Sequence, residues 1–164
     1  MTMVMGIDPG LTGGIVVLGI EDEVIEKQVM PIKEKFIDLE KLRQLLIIYK
    51  EFGIKIYLEK VHSMPKQGVA SSFKFGRIFG AIEAMLAGLQ MEYFLVTPQE
   101  WQKVIHKDMD RKKIPNPKDR SYLAYMNLFP TINLCATPRC RKPHKGLIDA
   151  LLIAKYGKIK EGGK

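Results

Sequence analysis

The sequence predicts one α/β domain on a mixed sheet of five strands, three antiparallel and two added in parallel, flanked by helices. Three observations predict it. The chain opens with short apolar, β-branched runs too close together for anything but antiparallel neighbours. Further on, segments with apolar residues at three- and four-residue spacing alternate with short apolar runs. A strand–helix–strand order of that kind implies a right-handed crossover and a parallel pair. The length, 164 residues, is that of one domain, and 46% hydrophobic residues suffice for one core.

The elements follow in order. Val4 to Ile7 is a first strand, ended by the turn signal Asp8-Pro9-Gly10. Gly14 to Ile20 is apolar and β-branched, as a central strand should be, and Glu23 to Met30 alternates as a third strand with one wet face. Glu21-Asp22 between them is short enough for a hairpin. Phe36 to Phe52 reads as a helix on Leu39, Leu42, Leu46 and Tyr49, with Gly53 as its stop. Ile54 to Leu58 is the fourth strand and ends at Glu59. Gly68 to Ser72 is small and loose. Phe75 to Leu89 is a helix whose small face, Gly76, Gly80, Ala84 and Ala87, suits close packing on either the sheet or a second copy. Phe94 to Val96 is the fifth strand, and Thr97-Pro98 opens a short helix as N-cap and first helical residue, with Trp101 as its packing anchor. His106 to Lys118 is irregular, Lys118 to Leu128 helical, and Thr131 to Pro143 irregular and basic. Lys145 to Tyr156 is the last helix, stopped by Gly157, after which the chain frays. The domain thus spans 1–158, with 159–164 a frayed basic tail.

Lys and Arg number 26 against 18 Asp and Glu, a net charge of +8. A surplus of that size points to an acidic partner, nucleic acid before others, over an inert basic surface. No apolar run approaches the ~20 residues of a membrane helix. The first residues lack the basic start and apolar stretch of a signal peptide. Two cysteines cannot form a disulfide framework, so a reducing compartment is expected. Cys135, Cys140 and His144 lack a fourth ligand, so zinc is not expected. His62 and His106 read as surface or loop residues.

Three acids stand out by position. Asp8 and Glu59 end the first and fourth strands, and parallel neighbours would bring both to the carboxyl edge of the sheet, where α/β ligand sites lie. Asp149 interrupts the apolar helix Gly146-Leu147-Ile148-Asp149-Ala150-Leu151-Leu152, where an acid is costly unless paired or bound to a cation. Each alone has a plain reading, as turn former or solvated edge residue. Clustered, hard oxygen ligands at a sheet end suit Mg2+ or Mn2+. Two such ions ~3.5–4 Å apart can activate water and stabilise the leaving oxygen of a phosphodiester.

Four segments in order then resemble one family. They are Gly6-Ile7-Asp8-Pro9-Gly10-Leu11-Thr12-Gly13-Gly14; Glu59-Lys60-Val61-His62-Ser63-Met64-Pro65-Lys66-Gln67-Gly68; Val96-Thr97-Pro98-Gln99-Glu100-Trp101; and Asp149-Ala150-Leu151-Leu152-Ile153-Ala154. They resemble the RuvC-type Holliday-junction resolvases, the bacteriophage and chloroplast branches above all, over nearly the whole chain. The resemblance implies a ribonuclease-H-like fold, a two-fold homodimer, and metal-dependent nicking of opposed strands at a four-way DNA junction, leaving 5′-phosphate and 3′-hydroxyl ends. Asp8, Glu59 and Asp149 match its metal-binding acids, for Mg2+ or Mn2+, two ions per site. One departure stands out. Relatives carry a further acid or a histidine three or four residues before the last acid, where this chain has Gly146 and Lys145, with His144 one step earlier. His144 could supply the ligand. Lys145 could act electrostatically or touch the scissile phosphate. Metal binding could also be weakened.

The resemblance also brings Lys66 to Lys74 near the junction centre, with Gln67 and Gly68 at the exchange point. Phe73 or Phe75 is then a stacking wedge or a core residue. The basic residues form two groups: Lys103, Lys107, Arg111, Lys112, Lys113, Lys118 and Arg120; and Arg139, Arg141, Lys142 and Lys145. Both suit phosphate contacts. The competing functions are a junction-binding dimer that lost catalysis with the fourth acid, and a nuclease for structured RNA. A sugar-kinase or actin-like ATPase needs a much longer chain.

Overall fold

The computed structural model describes residues 2–60 and 68–163. Its elements in chain order are β1 (Val4–Asp8), β2 (Gly14–Leu18), β3 (Val24–Val29), β4 (Ile32–Lys33), β5 (Phe36–Ile37), α1 (Leu39–Lys50), β6 (Lys55–Glu59), α2 (Val69–Gly88), β7 (Tyr93–Val96), α3 (Pro98–Ile105), α4 (Pro117–Leu128) and α5 (Lys145–Lys160). The main sheet has five strands in the order β3-β2-β1-β6-β7. β1, β2 and β3 pair antiparallel, while β6 joins β1 and β7 joins β6 in parallel. This is the mixed sheet the sequence predicts.

Period-two alternation divides the sheet between two apolar layers. Val4, Val16, Leu18 and Tyr57 face α5, with Trp101, Tyr125 and Phe129 beyond it. Met5, Ile7, Ile15, Val17, Ile56 and Leu58 face the other side, against Leu42 and Leu46 of α1 and Ile78, Ile82 and Leu86 of α2. Burial on both faces explains why the central strands are apolar without interruption. α5 lies so close to β1 that a Cβ on Gly6 would sit 2.1 Å from the Ala150 carbonyl oxygen.

Several boundaries differ from expectation, each for a local reason. The first helix starts at Leu39, not Phe36. Asp38 caps it, its side chain accepting from the Lys41 N–H, while Phe36–Ile37 pairs with Ile32–Lys33 across Glu34 and Lys35, both at positive φ. α2 takes in most of the stretch expected to be loose, with Gly68 at its N-cap. A Cβ at Gly76 or Gly80 would meet nothing within 4 Å, so the small-residue face of α2 is not the face packed on the sheet. Gly157 does not stop α5. It is where the helix meets the sheet, and a Cβ there would strike Tyr57 and Val4. Nor does the chain fray at Lys158, which is buried and donates to the carbonyls of Thr2, Gly19 and Ile20 at 3.0, 2.9 and 2.9 Å. Among the described residues, no helix is long and apolar enough to cross a membrane.

Candidate active site

Topology brings the three acids together. β1 and β6 are parallel and in register through Ile7 and Leu58, so the next residues, Asp8 and Glu59, leave the sheet side by side at its carboxyl edge. The chain turns back at once after Asp8: the Gly13 N–H donates to the Gly10 carbonyl at 2.9 Å, and the Gly10 N–H donates to Asp8 Oδ1 at 3.2 Å. The first turn of α5 rests on this loop. A Cβ on Gly146 would lie 2.3 Å from the Thr12 carbonyl oxygen and 2.6 Å from Gly13. Asp149, one turn further along α5, is thereby held near Asp8.

Electrostatics records the convergence. Burial is the main cause that pushes the Asp8 carboxyl up to about 6, against the opposing Gly10 N–H and Lys118 charge. Burial and then the charge of Asp8 push Asp149 up to about 7, again opposed by Lys118. Burial, Asp8 and Asp149 push Glu59 up to about 8, opposed by a hydrogen bond from Trp101. Among the described residues none of the three forms an ion pair. Nor are three His, Cys, Asp or Glu side chains already gathered there at metal-binding distance. The coupling among them is one of charge rather than of direct contact. Hard carboxylate donors, all raised by desolvation and two of them by the charge of Asp8, with no ion-paired cation among the described residues, fit a divalent metal ion.

Trp101 does more than anchor its helix. Thr97 and Glu100 form a capping box with Pro98 at the first helical turn, so α3 starts directly after β7. Val96 of β7 is in register with Glu59. One turn into α3, the buried indole of Trp101 donates from Nε1 to Glu59 Oε1 at 2.8 Å. His106, expected at the surface or in a loop, sits in the turn that ends α3 but is buried. Its ring stands edge-on to the indole, centroids 5.7 Å apart, and its Nε2 is 3.3 Å from Ser121 Oγ. Burial, then the charges of Arg120 and Arg111, lower its pKa to about 4, so the ring is neutral. A lone histidine between polar neighbours gives no periodic signal of burial. The hint that sequence reasoning missed is the single Trp within a capped helix start.

A crevice of about 420 Å³ opens beside Asp149, lined among others by Asn116, Lys118, Arg141, Lys142 and Lys145. Lys118 was only one of many cations by sequence. The Asn116 cap and Pro117 at the start of α4 place its charge where Asp8 and Asp149 both feel it. Arg120, counted with the exposed basic group, is buried and donates to the carbonyls of Ile114 and Pro115 at 2.5 and 2.9 Å. Lys112, Lys113, Arg139, Arg141 and Lys142 are exposed on loops. His144 is the N-cap residue of α5, and its backbone N–H donates to the Leu134 carbonyl at 2.8 Å. Its Nδ1 is buried without a partner among the described residues. Phe73, 69% exposed, and Lys74 lie on α2, bordering a broader cavity of about 840 Å³ that none of the three acids lines. Phe75 is half-buried. Lys66, Gln67 and His62 lie outside the described residues.

No protein-family model and no curated protein sequence matches the chain. Solved structures do. Thermus thermophilus RuvC in complex with Holliday junction substrate aligns over 99% of this chain and 97% of its own, with a TM-score of 0.67 at 17% identity. Another Thermus thermophilus RuvC structure aligns over 98% and 97%, with a TM-score of 0.62 at 18% identity. The yeast mitochondrial Holliday junction resolvase Ydc2 aligns over 98% of this chain and 81% of its own, with a TM-score of 0.54 at 13% identity. The chain has the ribonuclease-H-like fold of the RuvC resolvases.

Proposed function

We propose that the chain is a metal-dependent endonuclease that resolves four-way and other branched DNA as a homodimer. One observation carries this reading: three buried carboxylates from β1, β6 and α5 converge at one end of a RuvC-type sheet, where the charge of Asp8 raises both Glu59 and Asp149. Asp8, Glu59 and Asp149 would hold the metal, Mg2+ or Mn2+. The chemistry such ions supply when bound is activation of water and neutralisation of the leaving oxygen.

The protein's own residues do the rest. Lys118 sets its positive charge against Asp8 and Asp149 and favours their ionised form. Lys118, Arg141, Lys142 and Lys145 offer the crevice beside Asp149 to backbone phosphates, and the loop residues Lys112, Lys113 and Arg139 extend that basic rim. Phe73 and Lys74, with the neighbouring Lys66, Gln67 and Gly68, are assigned to the junction centre. The open glycine face of α2 is the contact offered to a second protomer.

The test is a labelled mobile four-way junction incubated with the protein and Mg2+ or Mn2+, beside Asp8→Asn. Paired, symmetric nicks absent from the variant support the reading. Binding without nicks in either metal overturns the catalytic part. That outcome would leave a junction-binding dimer, the second reading, which is favoured by a lysine at position 145 and a glycine with no room for a side chain at 146. Equal cleavage of a hairpin RNA would redirect the substrate to structured RNA.

A further inference from the structure

We infer that Trp101 is a positioning residue for Glu59: its indole N–H holds one oxygen of the carboxylate so that the other is left to the side shared with Asp8 and Asp149, and His106 with Ser121 holds the indole in turn. The inference concerns the proposed nuclease site and rests on that reading for the identity of the ligand.

A packing anchor needs only a large apolar ring. Trp101 is 1% exposed, yet its one polar atom is spent on Glu59 Oε1, 2.8 Å away and 42 residues distant in sequence. A donor aimed at a carboxylate in a buried site makes a charge-assisted bond, stronger than a neutral one. Of the three acids, Glu59 has the longest side chain and the most torsions to fix. Asp8 is fixed by its own turn through the Gly10 N–H. Glu59, at the end of a strand, needs a donor from elsewhere, and α3 brings one.

The indole is itself held in place. His106 lies edge-on to it at an interplanar angle of 73°, the favoured geometry for an aromatic pair. Ser121 Oγ, 3.3 Å from His106 Nε2, sets the ring's orientation. The line Ser121–His106–Trp101–Glu59 thus runs from α4, past the end of α3, to the edge of the sheet. Supporting bonds of this kind, one step out from a metal ligand, typically carry a 10- to 100-fold effect on metal affinity.

The experiment measures Mn2+ binding by electron paramagnetic resonance of the free ion. It uses the full-length wild type, Trp101→Phe, Glu59→Ala and the double variant. Trp101→Phe keeps a ring and loses the N–H. It should weaken Mn2+ binding about 10-fold or more, and the double variant should bind no more weakly than Glu59→Ala alone, which has already lost the acceptor. That non-additivity is what a merely structural tryptophan would not give. Unchanged affinity in Trp101→Phe, or losses that multiply in the double variant, overturn the inference and leave the nuclease reading standing. A wild type that binds no Mn2+ overturns both. Should Trp101→Phe fail to fold, hydrogen exchange of the indole N–H decides. As the chain holds one Trp, its signal is unambiguous. Glu59→Ala should speed that exchange at least tenfold, and an unchanged rate overturns the inference.

Discussion

Neutralising one acid of the site should stabilise the metal-free protein at alkaline pH and leave it unchanged at acid pH. Glu59→Gln suits the purpose, because the amide oxygen can still accept from Trp101 Nε1 while the charge is gone. Burial, then the charges of Asp8 and Asp149, carry the Glu59 carboxyl from 4.5 to about 8. The folded-state pKa therefore lies above the unfolded one. Stability linked to this group is fully present below pH 4.5 and is lost as the pH rises through about 8. At 1.36 kcal/mol per pH unit, the ionised form costs at most about 5 kcal/mol. Repulsion shared among three acids, and water entering the crevice, reduce this to about 2–3 kcal/mol. On a chain of this size each kcal/mol moves Tm by ~2–4 °C, so Glu59→Gln should melt ~5–10 °C above the wild type near pH 9. Near pH 4.5 the two should melt together. The assay is calorimetric unfolding in a chelating buffer, repeated with Mn2+, which should raise the wild type more than the variant. A gain of equal size at both pH values, or none at pH 9, would refute the claim that a desolvated, repelled carboxylate sits at position 59.

Four further outcomes are expected. Lys145→Asp should tighten Mn2+ binding roughly tenfold by restoring an acid at the crevice, and Lys145→Ala should fall between. If both match the wild type in metal dependence and cleavage rate, Lys145 has no part in the site. Gly146→Ala should cost about 1–3 kcal/mol in urea unfolding, because the backbone of Thr12 and Gly13 occupies the space; an unaltered midpoint would contradict that close contact. Lys158→Met should cost about 3 kcal/mol, since it strands three carbonyls that now share one ammonium. Alanine at Arg139, Arg141 and Lys142 together should flatten the salt dependence of junction binding by about 2 to 3 in log–log slope; an unchanged slope would remove that loop from the DNA interface.

The sheet was legible because it rests on short-range patterning. β1 to β3 declare themselves by β-branched runs and tight turns, and the order of β6 and β7 follows from one crossover rule. The acids were legible because Asp8 and Glu59 end strands and Asp149 breaks an apolar run. What escaped reading depends on contacts far apart in sequence. Gly157 looks like a helix stop until Tyr57 and Val4 are seen against it. Lys158 looks like part of a basic tail until three carbonyls from the other end of the domain surround its ammonium. Trp101 and His106 carry no local mark of their partners, Glu59 and Ser121. In each case tertiary packing overrides a local signal that reads correctly elsewhere.

The charge surplus also divides into cations that build the fold and cations left at the surface. Lys155 pairs with Asp22, Lys158 is enclosed, and Arg120 clamps a loop, so three of the 26 basic residues serve the interior. Lys118, Arg141, Lys142 and Lys145 remain around the crevice beside Asp149. A fourth acid has no place at position 146, because the helix is pressed onto the Gly13 loop that aligns Asp8 with Asp149. On the proposed reading, three carboxylates with two divalent ions leave one net positive charge, where four would leave none. A phosphodiester brings one negative charge, so the three-acid centre gives up metal affinity in the free protein and gains attraction for the strand. The lysine rim acts in the same direction. On that reading the balance of charge at the site is completed by the nucleic acid rather than by the protein alone.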